Sequence, residues 1–385
     1  MAAPAVRASF TALPRTETPD DPIAAARIVA AAAMEHAADL DYEGAFPTTD
    51  VAALAATGLL TAPVPRVAGG LGLGSEALGS PALLEVLRLL GSGNLSLGRL
   101  YEGHVNAWRL IASYASGPQL RTWAEAARAG DLFAVWNSQR GDGVRMTPVP
   151  GGFRLDGAKI LASGTGHLTR PLITARQPDG TMRMVVVPLP EPQAGADPDQ
   201  WRAVGMRASL SGGFDFTGIE VGDADLLGGP GDYERQPDFS AGAWRFAAVQ
   251  LGGIEAIVDE VRAHLRRTER GGDPHQRARI AAMVTATITA RLWLERAVNV
   301  VNEPDPDAAL ACVNLARLAV EEAGLQVMEQ AQRSVGLQAF LQSNPLERLC
   351  RDLATYLRQP NPDGARMAAT AYVLGSDRPT GELWR

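Results

Sequence analysis

The sequence predicts an α+β chain in three parts: an N-terminal helical domain over 22–130, a middle antiparallel β domain over 131–238 and a C-terminal four-helix bundle over 239–385. Three observations predict it. The first zone is rich in Ala and Leu and broken by Gly/Pro loops. The second replaces helical spacing with short β-favouring runs bounded by turn residues. In the third the helices lengthen, and His275–Asn302 holds neither Gly nor Pro; long helices with short connections favour an antiparallel bundle. Residues 1–21 lack a continuous apolar run and are expected to form a flexible tail.

Each element has its own signals. Asp20-Asp21-Pro22 opens a helix expected over Ile23–Leu40, with an acidic cap and Pro in the first turn. Asp50–Leu60 is a second, ending at Pro63/Pro65; Glu85–Leu90 lies in a third, and Asn94–Tyr114 is a fourth. Strands are expected over Leu132–Trp136, Phe153–Leu155, Leu172–Ala175 and Met182–Pro188, with turns at Gly151-Gly152 and Asp179-Gly180. Phe214, Phe216, Ile219 and Val221 belong to a later strand pair. Ile280, Met283, Val284, Ile288, Leu292 and Val298 recur at helical spacing, and Asp305-Pro306 opens a helix running toward Gly336.

Composition narrows the functional classes. Hydrophobic residues at 46% and charged residues at 21% are the balance of an ordinary globular protein. A net charge of −7 with five scattered histidines speaks against a nucleic-acid groove. No long uninterrupted apolar window predicts a membrane span. Cys312 and Cys350 lie far apart with no metal or redox spacing, so free buried thiols in a reducing cytoplasm are expected. The run Gly69–Gly74 is no dinucleotide fingerprint, because it follows Pro63 and Pro65 in a helical zone instead of a strand.

Several motifs occur in a telling order. Phe46-Pro47, Gly58-Leu59-Leu60, Pro63-Val64-Pro65 and Gly69-Gly70-Leu71-Gly72-Leu73 come first. Gly157-Ala-Lys-Ile-Leu-Ala-Ser163-Gly164 leads to Arg176, and Gly205-Met206-Arg207 to Ser211. Leu251-Gly252-Gly253 opens the bundle, and Arg333-Ser-Val-Gly336 leads through Pro345 and Glu347 to Arg351-Asp352. Together these resemble the acyl-CoA dehydrogenase family across roughly residues 22–358; the last segment is similar, without a gap, to its Q-x-x-G-G-x-G-[YF]-x-x-x-x-P-x-E-[KR]-x-x-R-D pattern.

The resemblance implies FAD, with FMN as the alternative, held between β domain and bundle with help from a neighbouring subunit, hence a homodimer or homotetramer. Ser163 then takes the place of a threonine whose hydroxyl meets the flavin near N5, and Leu161 replaces a stacking tryptophan. Ser138 supplies a hydroxyl in the flavin loop, where Gln139 and Arg140 replace the family's glutamate and proline. Gly336 matches the first glycine of the bundle loop, and Arg267 and Arg270 are either pyrophosphate contacts or solvated surface arginines.

The catalytic positions depart from the family. Its late glutamate falls on Pro360, and the alternative base position, at the start of the bundle, falls on Gly242. Asp363 is the nearest substitute in a shifted register, with an exposed loop aspartate as the other reading. His104 resembles a histidine of the family's monooxygenase branch, with a structural hydrogen-bonder as its other reading; the branch's second histidine maps near Arg358-Gln359 and is absent. Arg351 and Asp352 read as a structural ion pair. The resemblance thus implies a flavin-dependent oxidoreductase acting on CH–CH bonds of an acyl thioester, such as an acyl-CoA, or of a related small molecule. A reduced-flavin-dependent monooxygenase and a non-catalytic binding or assembly protein are the alternatives.

Overall fold

The computed structural model describes residues 18–189, 192–236, 238–358 and 360–384, so most of the expected tail lies outside the described residues. The Asp21 carboxylate caps helix α1 (Pro22–His36) by accepting the Ile23 and Ala24 N–H groups. Helices α2 (Thr48–Ala56), α3 (Ser80–Gly93), α4 (Leu95–Tyr114) and α5 (Gly117–Arg128) follow. The first two expected helices end about a turn early; α4 starts where expected because the Asn94 side chain caps it.

The β region contains β1 (Phe133–Trp136), β2 (Val144–Val149), β3 (Gly152–Asp156), β4 (Ala158–Ala162), β5 (Arg170–Arg176) and β6 (Met182–Val186). Shorter strands complete it: β7 (Ala196–Asp197), β8 (Gly212–Asp215), β9 (Glu220–Val221) and β10 (Leu226–Leu227). One sheet runs β10-β6-β5-β2-β3-β9 with β1 also on β5; the other runs β4-β8-β7. The sheet is mixed, which corrects the all-antiparallel expectation: β1 and β2 both pair parallel with β5. A parallel pair needs a long return connection, and residues 137–169 supply one for β1.

A short helix, α6 (Asp238–Ala241), precedes the bundle of α7 (Trp244–Arg267), α8 (Pro274–Val300), α9 (Pro306–Val335) and α10 (Pro345–Tyr356); α11 (Pro362–Gly375) closes the chain. Asp273 and Asp305 cap α8 and α9. Along α8 the apolar residues of the expected helix divide between two faces. Met283 and Val298 are buried with Ala290 and Leu294, while Val284, Ile288 and Leu292 form an exposed apolar stripe.

One core cluster runs through all three parts, from Leu54 and Leu87 through Trp136 and Phe214 to Ile254 and Leu353. Helices α3 and α7 touch backbone to backbone: a Cβ on Gly91 would collide with the Val249 carbonyl, and one on Gly252 with the Arg88 carbonyl. Arg351 ties the parts together. It contacts Asp41 at 2.5 Å, Glu347 at 2.7 Å and the Val204 carbonyl at 2.6 Å. Asp352 instead accepts the Met206 N–H at 2.7 Å and an Arg348 N–H at 3.3 Å. The two neighbours serve different contacts, and their mutual separation is 3.9 Å. Both cysteines are free and buried, as expected. No helix among the described residues is long and apolar enough to cross a membrane.

Candidate functional site

The edge of β4 and the end of β1 form one polar-rimmed surface. The Ile160 N–H donates to the Ser138 carbonyl at 2.9 Å, bringing the exposed Ser138 beside β4. Leu161 has φ +52°, and its side chain is held outward, 55% exposed, although it is apolar. Ser163 follows, buried, with its hydroxyl 2.9 Å from that of Ser211, which lies 2.9 Å from that of Ser209. Beneath them Trp136 donates its indole N–H to the Ser163 carbonyl at 3.0 Å and packs on Phe214 and Phe216. An exposed aliphatic face flanked by hydroxyls on rigid strand ends fits a planar aromatic group with a polar edge, such as an isoalloxazine. Gly164, at φ +76°, is required behind Ser163, since a Cβ would collide with Leu168.

A second set of groups meets where α4, α7, α10 and the end of β1 converge. Arg99 and Asn106 each donate to a different oxygen of buried Glu102. Arg245 Nε donates to Asn106 Oδ1 at 2.6 Å, and its guanidinium lies over Gly242, where a Cβ would collide with it. The Tyr233 hydroxyl meets the Asn137 side chain, and burial keeps the Tyr233 and Tyr356 phenols beside Arg99 protonated. Sequence reasoning missed Arg99, Glu102, Asn106, Tyr233 and Arg245, as it missed Ser209 as part of a hydroxyl chain and a role for Lys159. The one signal for Lys159 is a lysine inside the short apolar strand Ala158–Ala162.

His104 does not belong to either set as a reactive group. It is fully buried; its Nδ1 accepts the Phe133 N–H at 3.1 Å and its Nε2 donates to the Leu60 carbonyl at 2.9 Å. Burial pulls the imidazole down to about 4, so it is neutral at pH 7. Both nitrogens are committed to backbone, which corrects the catalytic expectation in favour of the structural one. Asp363 is corrected as well: it is exposed in the first turn of α11, where its charge suits the helix N-terminus.

At the end of the bundle an Arg270 N–H reaches the Ser334 carbonyl at 3.5 Å, two residues before Gly336. Gly336 has φ +76°, with open space around the position of a Cβ. Arg267 is exposed and turned to Glu260 at 3.0 Å, as a solvated surface arginine would be.

Comparison with known proteins decides the ancestry of this arrangement. Residues 235–357 match the family model for the acyl-CoA dehydrogenase C-terminal domain. A dibenzothiophene monooxygenase of Rhodococcus erythropolis is 31% identical over 280 residues, covering 68% of this chain and 66% of that protein. The mitochondrial short-chain specific acyl-CoA dehydrogenase of Mus musculus is 26% identical over 368 residues, covering 89% and 86%. The chain is an acyl-CoA dehydrogenase-like protein.

Its fold agrees with that of FMN-bound TdsC from Paenibacillus sp. A11-2, with a TM-score of 0.82 at 21% identity, covering 94% of this chain and all of that one. This acyl-CoA dehydrogenase-like chain thus spans just under two thirds of the monooxygenase it matches in sequence, and all of the TdsC fold.

Proposed function

We propose that the protein is a reduced-flavin-dependent monooxygenase acting on a small molecule. One observation carries the reading: among the described residues, no free proton acceptor stands at the positions where the family's desaturation base falls. Gly242 offers no side chain and is covered by a guanidinium, Pro360 has no acceptor, and Asp363 faces solvent. The buried carboxylate nearby, Glu102, has both oxygens engaged. Removing an α-proton requires a base within hydrogen-bond reach, whereas oxygen transfer to a heteroatom removes no such proton. The dibenzothiophene monooxygenase relatives support the same choice.

Reduced flavin supplies the two electrons that activate O2. Substrate, O2 and reduced flavin yield the oxygenated product, oxidised flavin and water, with one oxygen atom entering the product and the other leaving as water. In this reading Ser138 and Ser163 hold the polar edge of an FMN or FAD ring, Leu161 covers one face, and Arg270 and Gly336 receive phosphates. The apolar stripe Val284/Ile288/Leu292 supports assembly as a homodimer or homotetramer, in which one subunit's bundle end serves another's ring. A cytoplasmic location, suited to two free thiols, belongs to the same proposal.

Acyl-CoA desaturation is the second reading, favoured by the longer stretch shared with the short-chain dehydrogenase. Oxygen uptake that depends on supplied reduced flavin and on a sulfur heterocycle supports the monooxygenase. Anaerobic bleaching of bound flavin by an acyl-CoA, with no such uptake, overturns it. A protein that takes up neither FAD nor FMN would be the non-catalytic alternative.

A further inference from the structure

Strand β4 carries a fully buried lysine, and nothing above gives it a role. The Lys159 ammonium has three acceptors: Gln139 Oε1 at 2.7 Å, Thr174 Oγ1 at 3.2 Å and the Asn137 carbonyl at 3.4 Å. Asn137 and Gln139 flank Ser138 on the segment after β1, and Thr174 stands on β5. The Thr174 hydroxyl in turn donates to Asn137 Oδ1. The Gln139 side chain folds over Gly143, where a Cβ would collide with it, so the loop is closed on both sides of Ser138.

No carboxylate touches the Lys159 nitrogen among the described residues. The nearest acids along the strands, Asp156 and Asp215, turn to Thr217 at the surface. A buried cation without a counter-ion is costly, and uncharged packing would be the cheaper choice at a purely structural position. Here the charge provides three donors to acceptors on two different elements.

We propose that Lys159 is the positioning residue of the flavin loop, a role that rests on the flavin reading above: its three donors hold Asn137 and Gln139 against β5 so that the hydroxyls of Ser138 and Ser163 face a common ring edge. A neutral amine offers two donors and a lone pair. The Thr174 proton is already committed to Asn137, so that lone pair would face an oxygen and one anchor of the loop would be lost.

The role has a pH signature, because burial lowers the ammonium to about 8. Flavin affinity should fall as pH rises through that value. The stability of the flavin-free protein should move the other way: unfolded Lys159 keeps its proton to a higher pH, so this group's contribution rises between about pH 8 and the ordinary lysine value near 10.4. Mere packing would not couple the two in opposite directions.

The test is titration of wild type, Lys159→Met and Gln139→Met with FMN and with FAD near pH 6.5 and pH 9, with thermal melting as the check on folding. Wild type should lose about tenfold in flavin affinity between the two pH values, the size of one charge-assisted hydrogen bond. K159M should bind about tenfold more weakly near pH 6.5 and lose the pH response; Q139M should weaken binding but keep the response. Wild-type affinity and pH response in K159M would overturn the loop role and leave the flavin reading standing. If K159M does not fold, unchanged affinity in Q139M overturns the role instead. Failure of wild type to bind either flavin at both pH values would remove the flavin reading, and the loop role with it.

Discussion

Replacing His104 separates packing from chemistry at the position most open to a catalytic reading. His104→Ala removes the acceptor for the Phe133 N–H and the donor to the Leu60 carbonyl. Each buried group left unpaired costs about 1–3 kcal/mol. The void lies among Tyr101, Trp108 and Phe133, whose rings surround the imidazole, and adds about 2 kcal/mol. The sum, about 4–8 kcal/mol, approaches the whole stability of many domains. His104→Gln keeps a donor and an acceptor, so it should cost less and is the variant to measure.

The pH dependence has a definite sign. The imidazole titrates near 6.5 when unfolded and is lowered to about 4 when folded, so its contribution is fully present above pH 6.5 and lost as pH falls toward 4. Wild type should therefore lose about 2 kcal/mol from this group between about pH 7.5 and pH 5, and His104→Gln should lack that part of the slope. Urea unfolding at both pH values measures it. A His104→Gln protein with wild-type stability and pH slope but abolished turnover would refute the structural assignment.

Three further outcomes are expected. Ser163→Ala should weaken flavin binding about tenfold or shift the bound spectrum; unchanged affinity and spectrum would remove Ser163 from the ring site. Gly252→Ala should lower stability by about 1–3 kcal/mol through the collision with the Arg88 carbonyl, seen as a lower melting temperature. Arg351→Met should cost about 3 kcal/mol by stranding Glu347 and one oxygen of Asp41, whose other oxygen keeps Arg207, and pairing it with Glu347→Gln should recover part of the loss in a double-mutant cycle.

The three-part order was legible because Gly, Pro and capping residues punctuate this chain honestly. Asp21, Asn94, Asp273 and Asp305 all cap the helices they precede. Direction was not legible. The spacing of Val284, Ile288 and Leu292 marks an apolar stripe but not whether it faces in, and α8 already fills its inner face with Met283, Ala290 and Leu294. His104 failed for a related reason: its partners, Leu60 and Phe133, are distant in sequence and are backbone groups, which leave no trace in side-chain pattern. The place of Ser163 just after β4 was legible because its motif runs along that strand. Arg245 was not, since only the fold brings its guanidinium over Gly242. Lys159 sat inside a recognised motif without a role because its acceptors come from two other segments.

The glycine-on-carbonyl seam between α3 and α7 bears on how the chain can be recombined with its relatives. Helices on either side of the β region interlock there, so a chimera joined at a single crossover near residue 130 would have to match two foreign surfaces with no side chains to adjust between them. A graft that exchanges only 131–238 leaves that seam native. Transplanting the sheet region as a cassette into an intact helical frame is therefore the workable route to altering the ring-facing loops.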